Sequence, residues 1–330
     1  MAQLHVVYGE VPELIEKKSE QLIEGYLVDE PKDDFNFVKY NLYDTEINII
    51  LEEAMTLPFF SNKKVVLVQN SYIFTGEKAP KDVQPNTDAL LKFIENDKGD
   101  CLIIFQVNAT KLDERKKIVK ALKKHATIKK IEQFTEQEMK KWIQTQLHEQ
   151  FKDIKQDALD TLIELTGIHY RIVQQELEKI QLFIGDRPTI TKSDVQTIVN
   201  RSLEQNVFLL TDYIQKGQKD HAIRLMRDLV KLKEEPIKLL ALITSNYRLY
   251  YQSKILSTKG YSGQQIAQTV GVHPYRVKLA LQQARKYHLT QLLSIIDACA
   301  ETDYKLKSSY MDSVLILELF ILSIGQNFKQ

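Results

Sequence analysis

A glycine turn between an apolar run and an amphipathic one is where a nucleotide-binding chain holds phosphate. Tyr8-Gly9-Glu10-Val11-Pro12 has that form. A working phosphate loop needs a second glycine followed by Lys and Ser or Thr, so that backbone amides and an ammonium surround the phosphates. Leu14, Ile15 and Glu16 stand in those places, and Glu10, Glu13 and Glu16 repel phosphate. The apolar run at 64–69, which would end in a magnesium-binding Asp-Glu, ends in Gln69-Asn70. Both halves of a hydrolytic site are missing. The seven histidines form no HExxH or ligand-spaced pair, and no GxSxG elbow occurs. Acidic pairs abound, but on helix faces, where solvated charge explains them. No catalytic residue, metal ligand or cofactor is expected.

The residues that remain suit binding rather than catalysis. In Ala54-Met55-Thr56-Leu57-Pro58-Phe59-Phe60 a helical pattern stops and three large apolar groups follow within four residues. Pro58 keeps Leu57 out of the helical region and fixes the direction in which the chain leaves. Such a segment either staples a helix to a sheet or protrudes to fill a partner's pocket. Residues 111–130 hold nine Lys or Arg against Asp113 and Glu114. That cluster is a solvated helix face or a phosphate contact acting by counterion release, and Lys116, Lys120 and Lys123 are its candidates for duplex DNA. Residues 260–277 carry Ala267, Gly271 and Val277 at helix-turn-helix spacing. The second helix there offers only Arg276 and Lys278 to DNA and is embedded between apolar helices, so a packed hairpin is expected. A helix-turn-helix regulator is the alternative.

Strand and helix patterns alternate over the first ~135 residues. Strands are expected at 4–8, 35–40, 64–69, 101–107 and 127–132, and helices at 12–26, 46–55, 88–95 and 112–125. Continuous Val/Ile/Leu runs suit strands covered on both faces, so the reading is a parallel α/β sheet with helices on both sides. Thr135 and Glu138 then open a helix with capping-box spacing. Three helices are expected up to 199, broken at Gly167 and around Gly185. About five more follow with i, i+3, i+4 apolar spacing. The expected domains are 1–137 (α/β), 138–203 (three helices) and 204–330 (helical).

The 330 residues include 45 basic and 44 acidic side chains, so net charge names no partner. The chain starts without a signal-peptide pattern. The apolar run at 314–324 is interrupted by Glu318 and is too short to span a bilayer. Cys101 and Cys299 lie apart among apolar neighbours and read as core thiols of a reducing compartment. A cytoplasmic protein without a membrane partner is expected.

Several segments in combination resemble the delta subunit of bacterial DNA polymerase III. They are Ala54-Met-Thr-Leu57-Pro58-Phe59-Phe60-Ser61, the Gly9 turn without Lys, Val107-Asn-Ala-Thr-Lys-Leu-Asp-Glu-Arg115 and Gly167-Ile-His-Tyr-Arg171-Ile-Val-Gln-Gln-Glu176-Leu177. Ala298-Cys-Ala-Glu-Thr-Asp303-Tyr-Lys305 and Leu317-Glu318-Leu-Phe-Ile-Leu322 extend the likeness nearly to the end. The resemblance implies a degenerate AAA+ domain without a functional phosphate loop, a helical lid and a collar that joins a loader ring. It implies a chain that is not itself catalytic and opens the beta sliding clamp for primed DNA during replication. The implied partners are the beta clamp, ATP-hydrolysing tau/gamma subunits, delta-prime and, through the assembly, primer–template DNA. Leu57 and Phe59 would anchor in the clamp, supported by Phe60 and Met55. Tyr310 lies where the family collar presents an aromatic to the primer–template junction, although an aromatic there also suits core packing. Arg171 occupies a nucleotide-sensing position and, without a phosphate loop, is expected to pack and form a salt bridge. An AAA+-like adaptor of another machine is the further alternative, which would have no need of the Leu57–Phe60 segment.

Overall fold

The computed structural model describes residues 3–28, 30–57, 62–80, 86–96 and 101–324. They fall into two units, Met1–Gln133 and Phe134–Gln330.

In the first unit, β1 (Gln3–Gly9), β2 (Phe37–Asn41), β3 (Val65–Gln69), β4 (Leu102–Asn108) and β5 (Thr127–Ile131) form one parallel sheet in the order β2-β3-β4-β1-β5. Side chains alternate across the pleat. Leu4, Val6, Val66, Val68, Ile103 and Phe105 therefore enter one core, and Val7, Val65, Leu67, Leu102 and Ile104 the other. Helix α1 (Pro12–Tyr26) covers the second face through Ile15 and Ile23. Helices α2 (Ile47–Met55), α3 (Thr87–Asn96) and α4 (Lys117–His125) cover the first. Both faces are roofed, which is why β3 and β4 read as near-continuous apolar runs. The edge strand β5 instead carries exposed Lys129 and Lys130, charges that discourage further strand pairing.

Helix α4 starts five residues later than the expected 112–125. Asp113 explains the delay. Its amide donates to the Phe74 carbonyl and its carboxylate accepts from the Arg115 amide and guanidinium, holding 113–116 as a turn. Tyr72–Phe74, expected as loop, is one 3₁₀ turn with all three side chains buried.

The second unit opens with α5 (Glu136–His148), β6 (Asp153–Ile154), α6 (Gln156–Thr166), α7 (Tyr170–Ile184), β7 (Thr189–Ile190) and α8 (Lys192–Ile198). These elements enclose their own core, including Met139, Ile143, Leu162, Val173, Leu177 and Ile180. The segment thus holds four helices rather than three, plus a two-stranded parallel pair. The extra break lies at Phe151, whose φ of 56° ends α5 and turns the chain into β6. That conformation is rare for a bulky residue and left no mark in the apolar spacing.

Seven further helices follow among the described residues: α9 (Leu203–Gln215), α10 (Lys219–Lys231), α11 (Pro236–Thr258), α12 (Gly263–Val270), α13 (Pro274–Ala284), α14 (Leu289–Ser308) and α15 (Ser313–Ile324). Helix α11 runs through their common core, burying Leu239, Ile243, Tyr247 and Tyr250. Two breaks had escaped the count of five. His288 and Gln291 cap the start of α14, and Asp312 accepts the Leu315 amide before α15. Polar caps end helices as firmly as glycine does, without interrupting apolar periodicity.

Candidate functional site

The turn after β1 keeps the frame of a phosphate site and none of its groups. β1 lies between β4 and β5, so the turn opens at the carboxyl ends of the strands, where doubly wound sheets bind ligands. Gly9 is required there because a Cβ would collide with the Ile131 carbonyl oxygen. Leu14 and Ile15 are buried in the domain core rather than directed at a ligand. Glu10 accepts a hydrogen bond from Gln133 Nε2 at 2.7 Å, which places a carboxylate beside the turn.

The end of α2 is built differently. Ile47, Ile50, Leu51 and Ala54 face the sheet and are buried, which turns Met55 outward. Thr56 is extended (φ −77°, ψ 141°), so the helix stops and Leu57 leaves the surface. Met55 is 60% exposed and Leu57 78% exposed. Phe59 and Phe60, with Pro58, lie outside the described residues.

Beneath this exit sits Lys64, whose side chain is 4% exposed. Its Nζ donates to the Glu53 carbonyl at 2.8 Å and the Thr56 carbonyl at 3.4 Å, and also to Glu53 Oε1 and Thr56 Oγ1. The Thr56 hydroxyl donates in turn to the Glu53 carbonyl at 2.8 Å. Cys101 Sγ donates to the Ala54 carbonyl at 3.3 Å, so the residues that lead into β3 and β4 both grip the end of α2. Tyr40 Oη donates to Glu53 Oε2 at 3.5 Å. Its pKa is raised, first by burial and then by the Glu53 charge. The sequence reading of 64–69 as an apolar strand gave Lys64 no role. The available signal was a Lys at the entrance of a fully buried strand, since lysine is almost never buried unpaired.

The basic cluster divides into structural and unpaired members. Lys116 Nζ donates to the Ile73 carbonyl at 3.0 Å, and Lys123 pairs with Glu114 at 2.7 Å. Lys120 is exposed and, with Lys117 and Lys124, makes no ion pair among the described residues. Tyr310 precedes α15 and is fully exposed rather than packed. Arg171 was expected in a salt bridge. It stands on the outer face of α7, exposed and without an ion pair among the described residues, while its neighbour Tyr170 packs on Trp142.

Helices α12 and α13 do adopt a helix-turn-helix. Gly271 is left-handed (φ 74°, ψ 36°) at the turn, and Ala267 and Val277 are buried. The second helix is already engaged, however. Lys278 pairs with Glu136 of α5 at 2.6 Å, and Tyr275 packs on the α5–α8 core. That leaves little of α13 to read a groove.

A parallel sheet in the order β2-β3-β4-β1-β5, a glycine turn after β1 that lacks the groups for phosphate, and a helical region that follows in sequence are the features of a clamp-loader-type protein. Family profiles agree. Residues 5–132 match "DNA polymerase III, delta subunit" and residues 204–324 match its C-terminal domain. The DNA polymerase III subunit delta of Bacillus subtilis is 36% identical over 97% of this chain and 92% of its own. A probable DNA polymerase III subunit delta of Aquifex aeolicus is 21% identical over 80% of this chain and 75% of its own. The solved Bacillus subtilis DNA clamp loader delta protein superposes with a TM-score of 0.69 at 35% identity, covering 98% of this chain and 95% of that one. The chain belongs to the DNA polymerase III delta subunit family.

Proposed function

We propose that this chain opens the beta sliding clamp by inserting the segment that follows α2. The carrying observation is the pair of apolar side chains, Met55 and Leu57, held outward on a helix end whose buried face is anchored to the sheet. Leu57 and Phe59 act as anchors in the clamp, with Met55 and Phe60 beside them. Burying one such side chain contributes about 1.5–3 kcal/mol, and a few apolar anchors commonly dominate an interface. In this reading 1–137 is a degenerate AAA+ domain, 138–203 the lid and 204–330 the collar that joins the ring.

The chain performs no catalysis itself. Leu14 and Ile15 occupy core space where a phosphate loop would place Gly and Lys, so ATP is bound and hydrolysed by tau/gamma subunits, with delta-prime completing the ring. Lys116, Lys120, Lys123 and Tyr310 are the proposed contacts to primer–template DNA. Of these, Lys120 and Tyr310 are best placed, being exposed and unpaired. The work is done in the cytoplasm at the replisome. Among the described residues no helix is long and apolar enough to cross a membrane.

Size-exclusion chromatography of the purified chain with its own clamp, without nucleotide, tests the reading. Co-elution, and dissociation of a clamp labelled across its interface, are expected. If neither occurs with the free chain or with the ATP-loaded loader, the clamp reading fails and the adaptor alternative takes its place.

A further inference from the structure

We infer that Lys64 is a positioning residue for clamp binding, fixing the backbone from which Leu57 projects. The inference rests on the clamp reading above. An ammonium has three donors, and here they are shared among four oxygens belonging to only two residues, Glu53 and Thr56. Those residues are the last turn of α2 and its cap, and Thr56 is bonded directly to Leu57. The carbonyl end of a helix carries partial negative charge, so a cation is favoured there. Because Lys64 itself enters β3, directly before buried Val65, the sheet dictates where its ammonium sits.

Stability alone does not call for a lysine at this position. A buried ion pair is often replaced by apolar residues of similar volume without loss. What a methionine cannot do is grip two carbonyls and a hydroxyl and so hold Thr56 extended. Without that grip the C-terminal turn of α2 frays, as helix ends do when their carbonyls lack partners. The exit direction of Leu57 then becomes one of several, and binding must first select it. Preorganisation of this kind raises affinity by removing an ordering cost.

The test measures clamp affinity by surface plasmon resonance for the full chain and five variants, each checked by circular dichroism and thermal melting. Lys64→Met is expected to weaken binding roughly tenfold. Thr56→Val, a milder change that removes one oxygen of the cage, is expected to weaken it about threefold. In Lys64→Met/Glu53→Gln the stranded carboxylate is gone, so the melting temperature recovers while the affinity does not. The decisive readout is coupling. Leu57→Ala costs less affinity in the Lys64→Met background than in wild type, because an anchor that is not presented has less to lose. Wild-type affinity in folded Lys64→Met and Thr56→Val, beside a weakened Leu57→Ala, overturns this inference and leaves the clamp reading standing. Strict additivity of Lys64→Met and Leu57→Ala also overturns it. Failure of the wild-type chain to bind, alone and in the loader, removes both readings.

Discussion

Truncation of Leu57 to alanine isolates the apolar contribution of the exit segment. In the free chain Leu57 is 78% exposed, so nearly all of its surface remains to be buried by a partner. Complete burial of a leucine side chain gives about 1.5–3 kcal/mol. Taking the exposed share, and allowing for the Cβ that alanine keeps, leaves roughly 1–2 kcal/mol for the contact. That corresponds to a roughly 5- to 30-fold rise in Kd for the clamp. Most of the loss is expected in the dissociation rate, as is usual for interface truncations. Fold stability is expected to change by less than about 0.5 kcal/mol, because the side chain supports no core. Surface plasmon resonance at two salt concentrations reads both rates. An apolar anchor also predicts that the ratio of wild-type to variant affinity stays constant with salt, since screening acts on charges. A folded Leu57→Ala that binds within about twofold of wild type would refute the reasoning, because so exposed a leucine in a pocket loses more than that.

Three further outcomes are expected. Lys120→Gln lowers the salt slope of DNA binding by the assembled loader by about 0.9; Lys116→Gln lowers it by less, since its ammonium is already held by the Ile73 carbonyl, and costs about 1 kcal/mol of stability through loss of that hydrogen bond. Asp194 accepts from Arg187 and from the Thr191 amide and hydroxyl, which lower its pKa to about 2. Its stabilisation is present above the ordinary value of 3.8 and lost as pH falls toward 2. Asp194→Ala should therefore cost about 1 kcal/mol at neutral pH and flatten the acid limb of a stability–pH curve. His169 donates to Glu204 at 3.2 Å, joining the start of α7 to α9. That bond raises the His169 pKa against the opposing effect of burial and lowers that of Glu204. The histidine contribution is full below its ordinary 6.5 and disappears as pH rises through the raised value; the glutamate contribution is full above 4.5 and disappears as pH falls through the lowered one. Protection of the α9 amides, measured as exchange relative to the intrinsic rate at each pH, should be greatest between those limits, and His169→Gln should remove the change on the alkaline side.

The sequence by itself determined what is local. Apolar runs of strand length gave β3 and β4, and i, i+4 spacing gave the helices. With Leu14, Ile15 and Glu16 where a phosphate loop carries Gly, Lys and Ser or Thr, the turn after Gly9 lacks the groups that hold phosphate. Such patterns are legible because burial on one face or two is written in consecutive residues. The outward position of Met55 was not legible in the same way: three apolar groups in four residues fit a staple as well as a wedge. Only the seating of Ala54 and Leu51 on the sheet decided that Met55 and Leu57 face solvent. Tertiary structure likewise separated Lys116 and Lys123, which have partners, from Lys120, and it placed Lys64 under the helix end. Residues 53, 56 and 64 share no periodic signal. They meet because a helix and the following strand return to the same edge of the fold, and a hydrogen-bond cage of that kind exists only once the chain has closed.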